Sequence, residues 1–154
     1  MDADQTAVES RGGGRPLVVV GVDGSTSGLH AAAWAALHAK QMSAVLRILA
    51  AWLPPTLLVP VPGGIPNDGS VRAVEHACRA EQVASEAAPG LVIETDVVEL
   101  PPIQALMDAS RGADLLVVGR RGLGALRGLL LGSVSQHCAE HARCPVVIIP
   151  ESGD

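Results

Sequence analysis

Five short apolar runs punctuate the chain, at Leu17–Val22, Val45–Trp52, 91–100, 115–118 and Val146–Ile149. The first, Leu17–Val22, is continuous in apolar residues and glycine instead of alternating with polar ones, as expected of a strand buried on both faces of a parallel sheet. Between them lie stretches of helical character, at 26–42, 70–88, 102–112 and 133–142. The order β-α-β-α-β-α-β-α-β predicts an open, mostly parallel five-stranded sheet with right-handed crossovers and helices on both faces. Ligands of such sheets bind at the carboxyl ends of the strands, where the strand order reverses.

The first helical stretch has Ser25, Thr26 and Ser27 as alternative N-caps, with Leu29, Ala32, Ala33, Ala36 and Leu37 as its core face and Trp34 at a flank. In the second, Val71, Val74, Ala77 and Cys78 read as the inward side, with Pro89-Gly90 as the stop. Pro101-Pro102 opens the third, where Ile103, Leu106 and Met107 face the core and Gly112 reads as the C-cap. Residues 1–15 are polar, Gly-rich and aperiodic, and read as a disordered leader. Residues 16–150 form the domain and 151–154 a tail. Residues 53–69 hold five prolines and three glycines, too many for a helix or inner strand. They read as a long loop at the sheet's edge, with Trp52 at its hinge.

Composition removes several function classes. Of 154 residues, only Trp34 and Trp52 are aromatic, so the platforms on which single-stranded nucleic acids stack are missing. Net charge is −5 and no basic run occurs, which argues against nucleic-acid binding. No apolar run approaches the roughly 18 residues of a membrane-spanning helix. Three cysteines, Cys78, Cys138 and Cys144, make no paired framework. They read as small buried or half-buried residues of a reducing cytoplasm, with Cys144 the most open to solvent.

The richest stretch is 119–135, GRRGLGALRGLLLGSVS. It follows the fourth apolar run and carries glycines at 119, 122, 124, 128 and 132. Glycines after a strand let backbone N–H groups approach an anion, and a following helix start adds unpaired N–H groups and a positive dipole end. The stretch reads as a phosphate cradle. It is no Walker loop: the single lysine, Lys40, lies elsewhere, and Leu131-Gly132-Ser133 stands where Lys-Ser/Thr is required. Arg120, Arg121 and Arg127 lie in or beside it, and Arg121 is the preferred phosphate contact. A second loop, Gly21-Val22-Asp23-Gly24-Ser25, ends the first strand. Asp23 there has three readings: a hydrogen bond to a ribose or base, a hold on Mg²⁺ through water, or a cap for the next helix. A direct contact with the ligand is favoured.

His137 and His141 share one helical face without an evident third metal ligand and read as a solvent-facing pair; His30, His38 and His76 read as exposed helix residues. No Ser/His/Asp or Cys/His spacing points to a nucleophile. Val146–Ile149 is apolar at every position, so as an edge strand it would invite pairing with its own copy in a twofold dimer.

Taken together, the two loops resemble the universal stress protein family, whose nucleotide-binding members carry Gly, two residues, Gly, nine residues, then Gly-Ser or Gly-Thr. Gly119-Arg120-Arg121-Gly122, the nine residues 123–131 and Gly132-Ser133 reproduce that spacing, and GVDGS at 21–25 matches the family's opening. The resemblance spans about residues 16–150 and implies a Rossmann-like α/β fold, of the adenine nucleotide alpha hydrolase-like kind, with strand order 3-2-1-4-5. By motif match, Gly119, Gly122, Gly132 and Ser133 would bind ribose and phosphates, and Val134 and Ser135 would continue the phosphate contacts. Asp23, with Val22 beside it, would sit near the adenosine, Ala51 would line the adenine pocket and Val118 would back the base. The proline-rich 53–69 stretch departs from the pattern. The resemblance implies a cytoplasmic, homodimeric ATP-binding stress or signalling switch, with Mg²⁺ as a candidate companion of ATP. The alternatives are a slow ATPase, or a module for another adenine nucleotide such as cyclic AMP.

Overall fold

The computed structural model describes residues 14–54, 69–122 and 130–151. Arg127, residues 55–68 of the proline-rich stretch, most of the expected leader and residues 152–154 of the tail lie outside the described residues. The elements run β1 (Leu17–Val22), α1 (Thr26–Gln41), β2 (Val45–Trp52), α2 (Gly69–Ala87), β3 (Ile93–Glu99), α3 (Pro102–Ser110), β4 (Leu115–Gly119), α4 (Ser133–His141) and β5 (Val146–Ile149). The strands form one sheet in the order β3-β2-β1-β4-β5, and every pairing is parallel.

Strand periodicity sorts the core into two layers. Val18, Val20 and Val22 of β1 point to one face with Leu46, Ile48 and Ala50 of β2, where α1 and α2 cover them. Leu17 and Val19 of β1, with Leu116 and Val118 of β4, point to the other face, against Ala105 and Leu106 of α3 and Cys138 of α4. The start of β1 is tied to β4 twice at Asp114. Its carboxylate accepts the Leu17 N–H at 2.8 Å, and its own N–H donates to the Leu17 carbonyl at 2.8 Å.

The first layer is built differently from its sequence expectation. The buried side of α1 is Ala31, Ala32, Ala35, Ala36 and Ala39, and Leu37 is 51% exposed. The buried side of α2 is Ala73, Ala77, Ala80 and Ala84, while Val71 and Val74 are 51% and 48% exposed and Cys78 faces solvent. Small residues bring α1 and α2 close to the sheet, so the larger side chains are the ones turned outward. Trp34 lies at the flank of α1, stacked on His38 with ring centroids 4.8 Å apart. Ile103 and Met107 are half-buried, and Leu106 carries the packing of α3.

The boundaries follow local chemistry. The Ser25 hydroxyl accepts the Gly28 N–H at 3.0 Å, which makes Ser25 the N-cap of α1. That helix ends in a Schellman closure: Ser43 adopts φ 54°, its N–H donates to the Lys40 carbonyl, and Ala44 N–H donates to Ala39 at 2.8 Å. Gly90, at φ 85°, turns the chain after α2. Gly69 belongs to α2, and β3 is shorter than expected, beginning at Ile93 and ending at Glu99. Gly112 is not the left-handed cap of α3. Arg111 caps it, and Arg111 and Gly112 N–H groups close tight turns onto Asp108 and Ala109 at 3.3 and 3.2 Å.

The two sheet edges differ. On β3, Glu94 and Asp96 flank Arg47 of β2 at 2.9 and 3.4 Å, so that edge is charged. On the far side, β5 is half-buried along its length and carries no polar side chain. Charge on an edge opposes pairing with another chain, and its lack permits it. Among the described residues, no helix is long and apolar enough to cross a membrane.

Candidate functional site

The strand order reverses between β1 and β4: the chain moves outward through β2 and β3, then crosses back to β4 and β5. A cavity of about 280 Å³ opens there, at the carboxyl ends of β1, β2 and β4 and beside the starts of α3 and α4. All eleven residues singled out from the sequence line it: Val22, Asp23, Ala51, Val118, Gly119, Arg121, Gly122, Gly132, Ser133, Val134 and Ser135.

The β1–α1 loop and the glycine stretch touch directly. Asp23 Oδ1 accepts the Ser25 N–H at 3.0 Å, a local turn that shapes the loop. Asp23 is therefore no cap for α1, a task Ser25 performs. Its Oδ2 lies against Gly122, so closely that a methyl group at 122 would collide with it. Gly119 is equally constrained. A Cβ there would stand 2.9 Å from the Ser27 carbonyl carbon and 3.0 Å from the Ser27 Cβ. The end of β4 thus runs against the first turn of α1, and glycine at 119 is a packing requirement. Gly24, at φ 86°, needs glycine for its backbone and also for the imidazole of His76, whose Nε2 would be 2.5 Å from a Cβ at 24. His76 was expected on the surface, but it is half-buried against this loop, and His30 and His38 are half-buried as well.

The polar end of the cavity is formed by the first turn of α4. Gly132 is its N-cap and supplies no side-chain oxygen, so first-turn N–H groups at Ser133 and Val134 have no intrahelical acceptor. Ser135 sits in the cavity wall. It is 2% exposed, and its hydroxyl lies 2.8 Å from the Arg120 carbonyl and 3.1 Å from the Gly132 carbonyl. That hydroxyl holds the loop to the helix; only its place in the wall, not a donor aimed into the space, faces the cavity. Arg121 lines the cavity, whereas Arg120 turns away and donates through Nε to the Leu130 carbonyl at 2.8 Å.

The other end is apolar: Leu49 and Ala51 of β2, Val118 of β4, and Pro102, Ala105 and Leu106 of α3. No side chain in this group donates or accepts a hydrogen bond, so a flat ring there would be read by shape and by backbone edges. Sequence reasoning missed Leu49 and the three α3 residues. A helix whose N-terminus overhangs the switch point was the available signal, but Leu106 was assigned wholly to the core. Its contact with Gly21, where a Cβ would meet Leu106 Cδ2 at 2.8 Å, shows how near the helix comes.

Among the described residues lining this cavity, Asp23 is the one carboxylate and Arg121 the one guanidinium. No trio of metal-ligating side chains occurs among the described residues. His137 and His141 lie elsewhere, with ring centroids 4.5 Å apart; His141 is solvent-facing and His137 half-buried. The cysteines are outside the cavity too. Burial, with a smaller effect of the nearby Cys144, pushes the Cys138 thiol up to about 11. Burial and the Asp114 carboxylate raise Cys144, against a hydrogen bond at the Leu116 backbone that lowers it.

Comparison with known proteins bears on the same frame. Two curated universal stress proteins of Mycobacterium tuberculosis are each 35% identical over 138 residues; the matches cover 89% and 86% of this chain and 49% and 46% of those proteins. The chain spans about half the length of these curated relatives. A universal stress protein solved in complex with cAMP is 32% identical, with a TM-score of 0.69 over 90% of this chain and 98% of that one. The universal stress protein UspA from Lactobacillus plantarum shares the fold at a TM-score of 0.71 and 23% identity, over 87% and 97% of the two chains. A sequence model described as the universal stress protein family matches residues 16–150, the same span that folds into the 3-2-1-4-5 sheet around the switch-point cavity, and the chain belongs to that family.

Proposed function

We propose that this chain binds an adenine nucleotide in the switch-point cavity and serves as a nucleotide-dependent stress or signalling switch. The observation that carries the reading is the meeting of Asp23 with Gly122 beside the uncapped start of α4, opposite an apolar slot. The base fits the slot between Ala51, Leu106 and Val118. Ribose lies near Asp23, and phosphates lie along Gly122, Gly132 and the Ser133 and Val134 amides, with Arg121 as counter-charge. The relative solved with cAMP, similar over nearly its whole length, supports an adenine ligand.

ATP is the proposed resident, with Mg²⁺ as its companion. Asp23 offers a single carboxylate, so the ion would be held mainly by phosphate oxygens and water, as is usual for Mg²⁺. Cyclic AMP is the second reading, favoured by the near balance of one carboxylate against one guanidinium among the described lining residues. Hydrolysis is expected to be slow, because among those residues only Asp23 is placed to act as a base. The proposal places the domain at residues 16–150 in the cytoplasm, as a homodimer through the uncharged β5 edge, with a protein partner yet to be identified.

Native mass spectrometry of purified protein, followed by calorimetry with ATP, AMP and cyclic AMP, tests the reading. Expected are a dimer and binding in the micromolar range, about 8 kcal/mol. Folded protein that binds none of the three overturns it. A phosphate-release assay with an Asp23→Asn control separates holder from hydrolase; turnover near ~1 s⁻¹, the low end for ordinary enzymes, would make it an ATPase.

A further inference from the structure

Arg120 stands where β4 gives way to the glycine-rich stretch. Its backbone and side chain are committed on three sides. Its N–H donates to the Ile149 carbonyl at the end of β5, 2.7 Å away. Its carbonyl accepts the Gly132 N–H at 2.9 Å and lies 2.8 Å from the Ser135 hydroxyl. Its Nε donates to the Leu130 carbonyl at 2.8 Å, ten positions later in the chain. The path that leaves the sheet at Arg120 is thus brought back to Arg120 at Leu130–Gly132, where α4 begins. Ile149 extends the connection: its carbonyl also accepts the Ser27 hydroxyl, at 3.4 Å, from the first turn of α1.

We propose that Arg120 is a positioning residue for the phosphate end of the site. Its guanidinium fixes the returning limb at Leu130, and so sets where the first turn of α4 lies relative to Gly122 and Asp23. It touches no ligand itself: Arg121, its neighbour, lines the cavity and Arg120 does not. The proposal rests on the nucleotide reading above. The backbone bonds of Arg120 survive any side-chain change, so the fold should tolerate losing the guanidinium. What is lost is the preorganisation of the phosphate-binding amides, and ordering them then falls to the binding step. The base slot, made by β2, β4 and α3, is independent of this tie.

The test compares adenosine, AMP and ATP by calorimetry on the full chain, with amide hydrogen exchange at 130–136 as a ligand-free readout. Arg120→Ala should weaken AMP and ATP about tenfold and leave adenosine within about twofold. Arg120→Lys, which keeps a donor able to reach Leu130, should recover most of the loss. Exchange at Gly132 should be faster in Arg120→Ala than in the parent. Arg120→Met keeps the apolar stem without the donor and carries the same expectations should the alanine variant melt below assay temperature. Equal weakening of all three ligands, no weakening of AMP and ATP, or unaltered exchange overturns the proposal. If the parent protein binds none of the ligands, the nucleotide reading fails, and exchange at Gly132 alone decides whether Arg120 holds the limb.

Discussion

Replacing Gly119 by alanine is a sharp test of the fold around the site. The added Cβ would stand 2.9 Å from the backbone carbon of Ser27 and 3.0 Å from its Cβ, and would overlap its hydroxyl. Backbone cannot rotate aside, so the end of β4 and the first turn of α1 must separate. Overpacking of this kind costs about 1–3 kcal/mol. The displaced Ser27 hydroxyl also gives up its long bond to the Ile149 carbonyl, worth about 0.5 kcal/mol. A total of about 1.5–3.5 kcal/mol in a chain of 154 residues should lower the melting temperature by about 3–14 °C, read by circular dichroism. The partner variant is Ser27→Gly. Alone it costs about 0.5 kcal/mol of helix propensity and about 0.5 kcal/mol for the lost bond to the Ile149 carbonyl. Combined with Gly119→Ala it removes two of the three collisions and leaves the backbone one. The double variant should therefore be more stable than the sum of the singles, by about 1 kcal/mol. A Gly119→Ala melting temperature within about 1 °C of the parent, or strict additivity, would refute the packing argument.

Gly122→Ala should behave in the opposite way. Its collision is with the end of the Asp23 side chain, which can swing aside, so the melting temperature should hold while calorimetric affinity for ATP falls about tenfold or more. Gly24→Ala should destabilise by about 1–2 kcal/mol through its positive φ and the His76 ring, and adding His76→Ala should relieve only the steric share, measured by urea unfolding. Thiol alkylation followed by peptide mass spectrometry should mark Cys78 first, Cys144 later and Cys138 only on unfolding. Cys138 also sets an alkaline limit. Its folded-state value is raised above the usual 9.0 to about 11, so its contribution is complete below pH ~9 and is lost as pH climbs toward ~11. Cys138→Ala should flatten that part of the stability profile.

The sheet and the site were legible in the sequence for different reasons. Strands buried on both faces, β1 and β4 above all, show as unbroken apolar runs, whereas the charged edge strand β3 is legible mainly from its place between two helical stretches, and the Gly119, Gly122 and Gly132 spacing with Asp23 led to one cavity. Helix faces were read poorly. Periodicity weights Leu37, Val71 and Val74 above alanine, while packing against the sheet selected the alanines. The tight approach that reverses the ranking is a tertiary fact. The contact of the Ser135 hydroxyl with the Arg120 carbonyl was hidden likewise, because it joins residues 15 positions apart. His76 reaches the β1–α1 loop from a helix that sequence assigns elsewhere, so nothing local announced it.

The alanine faces of α1 and α2 give the two halves of this core opposite tolerances. On the side of Leu49, Leu106 and Leu116, substitution can remove volume and open a void. On the helix faces opposite, at Ala31, Ala35, Ala73, Ala77 and Ala80, almost any replacement adds volume, and the volume that can be removed from that layer lies in the strand residues Val18, Val20, Leu46 and Ile48. Alanine also brings no rotamer freedom to be lost on folding. These helix faces can therefore drift only toward glycine or serine, while the opposite layer can exchange aliphatic shapes of similar size. Variation that reshapes the ligand slot is open to the β2–β4–α3 side, and the α1–α2 side serves as its fixed backing plate.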